Sequence, residues 1–507
     1  MAVTSIRSIS LLGLNGTLVD IEVDISDGLP IYTLLGLPDT ALIESKDRIR
    51  AALLNSGESW PNRKVTVSLT PAWLPKSGSN FDLPIAVGLL RVQSLIPVED
   101  SQREVIIGEL GLDGQIRPVR GILPALLAAK KFGIKRALVP SANYQEASLV
   151  TDLEVIGFTN LRELLIFLRT GEIFEKMELE LASEDSVTIN DLSEIIGQSD
   201  ARYALEISAI GAHHLLFIGP PGTGKTMLAQ RIPGILPALT NEQALEVTAI
   251  HSIAGNLFSR NDLNKQPPFI APHHTTTATA MVGGGSHFIK PGAVSLAHNG
   301  VLFIDEAPEC NSGVLDSLRQ PLESGFVTIT RAIGSVNFPA KFILVLAANP
   351  CPCGKFSGKG RSCTCSAQQI RRYSSKLSGP LLDRVDIRLQ VDPPTRTELA
   401  SVEVGEDSLT VRTRVESARI KAAKRFAEYP WQTNSEIPAR FLRHEFRAEK
   451  SAMAVLHQEL DKENLSARGF HKVLRLAWSI ADSRFNDLPL KDDVQTAISM
   501  RMGTEIF

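Results

Sequence analysis

This chain of 507 residues lacks the features that would place it in a bilayer, on a secretory route or along a nucleic acid by charge alone. No apolar run reaches the roughly 18–20 residues that a membrane span requires, and the longest candidate, Phe342-Ile343-Leu344-Val345-Leu346-Ala347-Ala348, has the length of a strand. The first residues pass through short apolar stretches into Asp20, Glu22 and Asp24, which is not a signal-peptide pattern, so a cytoplasmic protein is expected. A net charge of −3 excludes a protein that coats nucleic acid with bulk positive charge, and any such contact must use a local basic track. Cysteine is scarce: there are five, and four of them (Cys351, Cys353, Cys363, Cys365) share one short window. In a cytoplasmic chain that clustering points to a metal before a disulfide.

What is present is ordinary for a soluble globular protein, with 43% hydrophobic and 21% charged residues. The length suggests about three domains. In residues 1–170, strand-like runs (Val19-Asp20-Ile21-Glu22-Val23, Lys64-Val65-Thr66-Val67-Ser68-Leu69) alternate with amphipathic helices expected over 39–56 and 122–132, the latter ended by Gly133. Residues 171–187 read as an acidic linker containing Glu172, Glu175, Glu178, Glu180, Glu184 and Asp185. Residues 188–395 alternate helix and strand as an α/β nucleotide-binding domain does, and 396–507 are strand-poor, helical and locally basic.

The most informative stretch is Gly219-Pro220-Pro221-Gly222-Thr223-Gly224-Lys225-Thr226, a full match to the phosphate-binding pattern G-x-x-x-x-G-K-[ST]. Its glycines let successive backbone N–H groups turn toward a triphosphate. Lys225 reaches the β- and γ-phosphates, and the Thr226 hydroxyl ligates Mg2+. A buried strand, His214-Leu215-Leu216-Phe217-Ile218, precedes it and a helix start follows, which is the setting such a loop needs. Downstream, Val301-Leu302-Phe303-Ile304-Asp305-Glu306 is an apolar strand ending in two carboxylates. Asp305 is placed to hold the magnesium site and Glu306 to orient or deprotonate the attacking water. Asn349, ending the next apolar strand, either positions that water or caps the turn before Pro350. Arg384 either stabilises the transferring phosphoryl group or pairs with Asp383 or Asp386. Arg468 either reaches the same phosphates from a helical lid or is a solvated helix arginine. ATP and Mg2+ are the expected cofactors.

Gly197-Gln198, the phosphate loop, Asp305-Glu306, Asn349, Arg384 and Arg468 resemble an AAA+ ATPase in order and spacing. Ala271-Pro272-His273-His274-Thr275, Val282-Gly283-Gly284-Gly285 and Pro291-Gly292-Ala293-Val294-Ser295-Leu296-Ala297-His298-Asn299-Gly300 resemble the magnesium-chelatase-like clade, and within it the ComM/YifB family over nearly the whole length. The resemblance implies an α/β fold in which a P-loop AAA+ domain carries a helical lid. It makes Lys225 and Thr226 the Walker A residues, Asp305 and Glu306 Walker B, Asn349 sensor 1, Arg384 the arginine finger and Arg468 sensor 2. Because the finger serves a neighbouring subunit, a homo-hexamer is implied. The ComM family is associated with ATP-driven branch migration that helps incoming single-stranded DNA integrate during natural transformation, which implies DNA in the ring pore and recombination proteins as partners. A protein-remodelling ATPase and a magnesium-chelatase motor subunit are the alternatives. In an extended loop His273 and His274 point to opposite faces, a poor two-ligand metal site, so loop hydrogen bonding or a pore contact is expected of them.

The first region resembles the proteolytic domain of Lon at Gly108-Glu109-Leu110-Gly111-Leu112-Asp113-Gly114-Gln115-Ile116-Arg117-Pro118-Val119, at Leu126-Leu127-Ala128-Ala129-Lys130-Lys131 and at Pro75-Lys76-Ser77-Gly78. That family uses a Ser–Lys dyad. Here the serine position falls on Asn80 or Asp82, depending on the residues aligned, and the lysine position on Leu123. A Lon-like α/β fold without peptidase activity is therefore expected, with Ser77 and Ser79 lacking a base, and a role in ring assembly or partner binding.

Cys351-Pro352-Cys353-Gly354 and Cys363-Thr364-Cys365 offer four thiolates, the number that tetrahedral zinc takes. Gly and Lys dominate the loop between the pairs, which cannot build a core, so structural zinc is expected as its anchor; a redox disulfide or free thiols are the rivals. Two further segments, Gly283-Gly284-Gly285 with Lys290 and the hairpin strand Gly325-Phe326-Val327-Thr328-Ile329-Thr330-Arg331, are candidates for a pore that tracks a phosphate backbone.

Overall fold

The computed structural model describes residues 4–74, 76, 78–97, 103–173, 190–255, 263–285, 289–331, 334–356, 363–395, 398 and 405–503. The apolar runs of the central region pair with one another, as strands covered on both faces must. Five parallel strands lie in the order Phe269–Ile270, Gly300–Ile304, Phe342–Ala348, Leu215–Ile218, Ile387–Gln390. Gly300–Ile304 and Phe342–Ala348 are buried along their entire lengths. Register then brings the polar ends together. Ile218 lies opposite Ala348, and Ile304 opposite Leu346, so Gly219, Asp305 and Asn349 leave the sheet at one end. Ligands of open α/β sheets bind in the crevice beyond such carboxyl ends.

Helices Ser199–Gly211 and Lys225–Ile235 cover one face, and Ser408–Arg425 and Ala467–Ser483 pack onto them. One apolar cluster contains Leu205, Phe217, Leu228, Val345, Val415 and Trp478. Its core therefore runs without a break from the sheet into the C-terminal helices.

In the first region, Thr4–Leu12, Asn15–Ser26 and Lys64–Thr70 are antiparallel, with Tyr32–Leu35 added in parallel to the last. Val19, Ile21 and Val23 are buried while the acidic residues between them are not, the alternation of a half-covered strand. A second, parallel sheet holds Glu104–Ile106, Arg136–Pro140 and Glu154–Phe158. The helix expected over 39–56 is divided into Thr40–Ile43 and Ser45–Asn55; the Asp39 carboxylate opens the first piece, accepting the Leu42 N–H, and also accepts the Gly78 N–H. Helix Ile122–Lys131 ends as expected, with Gly133 at φ +79°. It packs on helix Asn241–Ala254, whose Ala249 joins the cluster of Ile122, Leu123 and Leu126. The acidic linker falls largely on 174–189, outside the described residues. Among the described residues no helix is long and apolar enough to cross a membrane.

Candidate functional site

The phosphate loop joins strand Leu215–Ile218 to helix Lys225–Ile235. Gly224 caps that helix at φ +85°, a conformation that directs the first free N–H groups outward and that a side chain would strain. Lys225 is buried at 8% exposure, and its ammonium donates to the carbonyls of Gly219 and Pro220, both at 2.8 Å, with Asn349 Oδ1 at 3.4 Å. Burial pulls its pKa down, opposed by the charges of Asp305 and Glu306. Thr223 Oγ1 donates to Pro220 O at 3.0 Å, and the Gln198 amide bridges the carbonyls of Thr223 and Asp392 at 2.8 and 3.1 Å. Gln198 thereby ties the loop to the end of the Ile387–Gln390 strand, a connection that the sequence pattern did not reveal.

The two oxygens assigned to magnesium are already together, since Thr226 Oγ1 donates to Asp305 Oδ2 at 2.7 Å. With phosphate oxygens and waters they suit the octahedral, all-oxygen shell of Mg2+. Asp305 also accepts the Glu306 N–H at 2.8 Å. Glu306 itself has φ +48°, rare for a side-chain-bearing residue and frequent at functional sites. Its carboxylate meets His274 Nδ1 at 3.3 Å. The expectation of opposed faces for His273 and His274 is corrected here: residues 274–275 form a turn, and the two rings lie 4.1 Å apart. His273 Nδ1 is bonded to Thr275 Oγ1 at 2.8 Å, the loop hydrogen bonding that was expected.

Arg384 pairs with neither Asp383 nor Asp386. Its guanidinium donates to Pro380 O at 2.6 Å and to the Glu323 carboxylate, so no residue of 219–226 is among its partners. Asp386 is fully buried and engaged by Lys472 Nζ at 2.5 Å and by the His214 N–H at 2.9 Å. Lys472 also donates to Arg384 O at 2.7 Å. Arg468 sits one turn before Lys472 on helix Ala467–Ser483, exposed and without a side-chain partner among the described residues.

The four clustered cysteines do converge. Their sulfurs lie within 4.8 Å of one another, with Cys351–Cys353 at 3.4 Å and both Cys351–Cys363 and Cys353–Cys363 at 3.7 Å. A tetrahedron with metal–sulfur bonds of ~2.3 Å has edges of about 3.8 Å, whereas a disulfide needs ~2.05 Å. The donor set fits zinc. Cys310 is a separate, buried member of the apolar core.

The two candidate pore segments also meet. Gly283–Gly284 pairs with Lys290–Pro291, and Phe326–Arg331 with Gly334–Pro339. The ribbon and the hairpin line one cleft of about 420 Å³ together with Asp316 and Arg319, and Arg331 lies against Gly284.

In the first region, Leu123 is wholly within the apolar core, and Asp82 is buried against Arg48 Nε at 2.8 Å, its carboxyl pushed up to about 6 by burial despite that partner. Asn80 donates to Ile9 O at 3.3 Å, and Ser79 donates to Glu109. Lys76 is spent on the carbonyls of Leu69 and Pro71. Pro75 and Ser77 lie outside the described residues.

A parallel sheet whose first strand runs into a lysine-bearing glycine loop, with two carboxylates and an asparagine at the same sheet end and a helical bundle sharing its core, defines a P-loop protein of the AAA+ class. Residues 191–399 match the family described as magnesium chelatase, subunit ChlI, 405–501 match its C-terminal family, and 21–143, Lon-like by sequence, match the family described as subunit ChlI of Mg-chelatase. An uncharacterized protein of Mycobacterium tuberculosis is 47% identical over 501 residues, 99% of each chain. Competence protein ComM of Haemophilus influenzae is 40% identical over 492 residues, covering 95% of this chain and 94% of its own. YifB of Escherichia coli is 40% identical over 503 residues, 99% and 97% of the two chains. The protein belongs to the ComM/YifB family of magnesium-chelatase-like AAA+ proteins.

Proposed function

We propose that this protein is an ATP- and Mg2+-dependent motor that assembles as a homo-hexameric ring and drives branch migration on single-stranded or branched DNA, promoting integration of incoming strands. The observation that carries the ATPase part is the convergence of Lys225, Thr226, Asp305 and Asn349 within hydrogen-bonding reach at one sheet end. In this reading Lys225 exchanges its loop carbonyls for β- and γ-phosphate oxygens, and Thr226 and Asp305 hold the magnesium. Glu306 orients or deprotonates the attacking water, and Asn349 positions it. Arg384 leaves Glu323 to serve the neighbouring subunit's phosphates, while Arg468, free on the lid helix, serves its own. Gly219 to Gly224 supply the backbone cradle.

Two observations support the DNA part. A relative of nearly equal length is described as a competence protein. The glycine ribbon, in which Lys290 pairs with Gly284, and the hairpin meet at one cleft that carries Arg319 and Arg331, and a ring of subunits would repeat these cations around a pore. The four cysteines hold a structural zinc ion. The first region is a Lon-like scaffold without peptidase activity, since Leu123 has no proton to exchange and Lys76 reaches only carbonyls.

The test is ATP turnover measured with single-stranded, forked and four-way-junction DNA, beside an unfolded protein. DNA stimulation that fades with rising salt is expected. Stimulation by unfolded protein alone would move the reading to a protein-remodelling ATPase.

A further inference from the structure

The segment that leaves strand Phe342–Ala348 touches the phosphate loop twice within six residues. Asn349 Oδ1 lies 3.4 Å from Lys225 Nζ. Five residues later the Cys351–Gly354 turn, closed by the Gly354 N–H donating to Cys351 O at 2.9 Å, lies on Pro221. The approach is close enough that a Cβ on Gly354 would stand 2.5 Å from Pro221 Cδ and 2.7 Å from its Cγ, and Gly354 is at φ +72°. Only glycine lets the backbone come this near. Between the two contacts stand Cys351, fully buried, and Cys353. The other pair, Cys363 and Cys365, directly precedes helix Ala367–Ser374, whose buried Tyr373 hydrogen-bonds the Asn349 backbone. The cysteine cluster is thus inserted between two struts that both end on the nucleotide loop.

A turn of this kind has few means of holding its own shape. Cys353 and Cys363 are half-exposed, Lys355 and Phe356 are exposed, and the neighbouring residues contribute little apolar burial. Among the described residues, four sulfurs at zinc-like spacings are the tie that remains.

We propose that the four-cysteine site is a zinc-dependent clamp on the phosphate loop: with the metal bound, the Cys351–Gly354 turn is held against Pro221 and Asn349 against Lys225, and nucleotide affinity is set by that support. The inference rests on the reading of 219–226 as the nucleotide site and of the cysteines as a zinc site. Pro221 and Gly354 act as positioning residues, through the loop backbone.

Full-length protein tests it, with zinc content and the affinity for a fluorescent ATP analogue as readouts, neither of which requires turnover. Wild type should carry one zinc per chain. Chelation should weaken analogue binding by about fivefold or more, and zinc added back should restore it. Gly354→Asn, which tolerates a positive φ but adds a Cβ, should keep zinc and bind the analogue more weakly. Pro221→Gly should keep zinc and shrink the chelation effect to less than half of that in wild type, the remainder passing through Asn349. Cys363→Ser/Cys365→Ser should lack zinc and resemble chelated wild type. Unchanged affinity on removing zinc overturns the clamp, as does a chelation effect in Pro221→Gly as large as in wild type. Wild type that binds the analogue but carries no zinc overturns it through the metal, and undiminished binding in Lys225→Ala overturns it through the misread loop.

Discussion

Lys76 in the first region and Lys225 in the second are both buried, at 1% and 8% exposure, and each gives its ammonium to a pair of backbone carbonyls. Burial lowers the pKa of both. They differ in what else is within reach. Lys225 has an asparagine oxygen at 3.4 Å and two carboxylates whose charges resist deprotonation, and its carbonyl partners lie in a loop with outward-facing N–H groups. Lys76 has burial and, among the described residues, no compensating carboxylate. A third lysine, Lys472, is part-buried and paired with Asp386 at 2.5 Å. Burial alone therefore does not mark a catalytic lysine. A site requires partners that can be exchanged for substrate, at an open end of the sheet, with acids placed to manage the proton and the metal.

The comparison breaks first at Lys225. Lys225→Ala should cost at least ~10²–10³-fold in ATP turnover, the range for removing one preorganised cation or donor from a developing charge, with the folded far-UV signal retained. Turnover within tenfold of wild type would remove the distinction between the two lysines. Next is Glu306→Gln, which keeps shape and loses basicity. Its kcat should fall by about 10²-fold while ATP-analogue affinity stays within about threefold, since Glu306 is assigned to water and not to phosphate. Loss of affinity together with kcat would instead place Glu306 in binding.

The third lysine sharpens the comparison through pH. His213, fully buried, and His214, part-buried, stand beside Lys472 and Asp386, and desolvation brings both imidazoles down to about 4, with Asp386 opposing and Lys472 reinforcing the shift. Neutral rings fit the bonding, since His214 Nδ1 accepts the Leu344 N–H at 3.1 Å. The unfolded chain takes up protons near 6.5 and the folded one only near 4. Stability is thus complete above about pH 6.5 and is lost as pH falls toward 4. The loss should approach 2 kcal/mol per histidine between pH 7 and pH 5. Asp386, with its pKa depressed by Lys472 and the two histidines against the effect of burial, loses its contribution only below the usual carboxylate range and leaves that window untouched. Urea unfolding at the two pH values reads this directly, and a flat profile would mean that the histidines are protonated in the fold.

How much of this was legible follows from how local each feature is. The phosphate loop, Asp305-Glu306 and Asn349 are short runs beside apolar strands, and strand register then brings them together without further information. The four cysteines were legible for the same reason. Arg384 and Arg468 were legible as residue types, but the partner that holds Arg384, Glu323, is 61 positions away and carries no pattern. The His274–Glu306 pair, the Gln198 bridge and the Asp386–Lys472 pair depend on chain segments meeting across the fold, and only a turn at 274–275 reveals why two adjacent histidines share one side. The Asp39–Gly78 contact at the start of the helix expected over 39–56 spans 39 positions and is likewise one that local periodicity cannot register.

The smallest effect is expected at Lys76. Lys76→Met preserves length and removes the charge, leaving the Leu69 and Pro71 carbonyls without their ammonium donor. Unsatisfied buried acceptors cost roughly 1–3 kcal/mol, partly offset here because a charged group buried without a carboxylate is itself unfavourable. A net loss of about 1 kcal/mol is the expected outcome, read as a shift in urea midpoint at constant m-value. The pH dependence separates the two contributions. Because the folded pKa of Lys76 is depressed, the unfolded chain holds the proton more tightly, and wild-type stability should rise as pH approaches the ordinary lysine value of 10.5, whereas the variant should lack that rise. ATP turnover should stay within about twofold of wild type. A Lys76→Met protein that folds normally but loses turnover would show that the first region reaches the nucleotide site, across the Ile122–Lys131 and Asn241–Ala254 helices that join them.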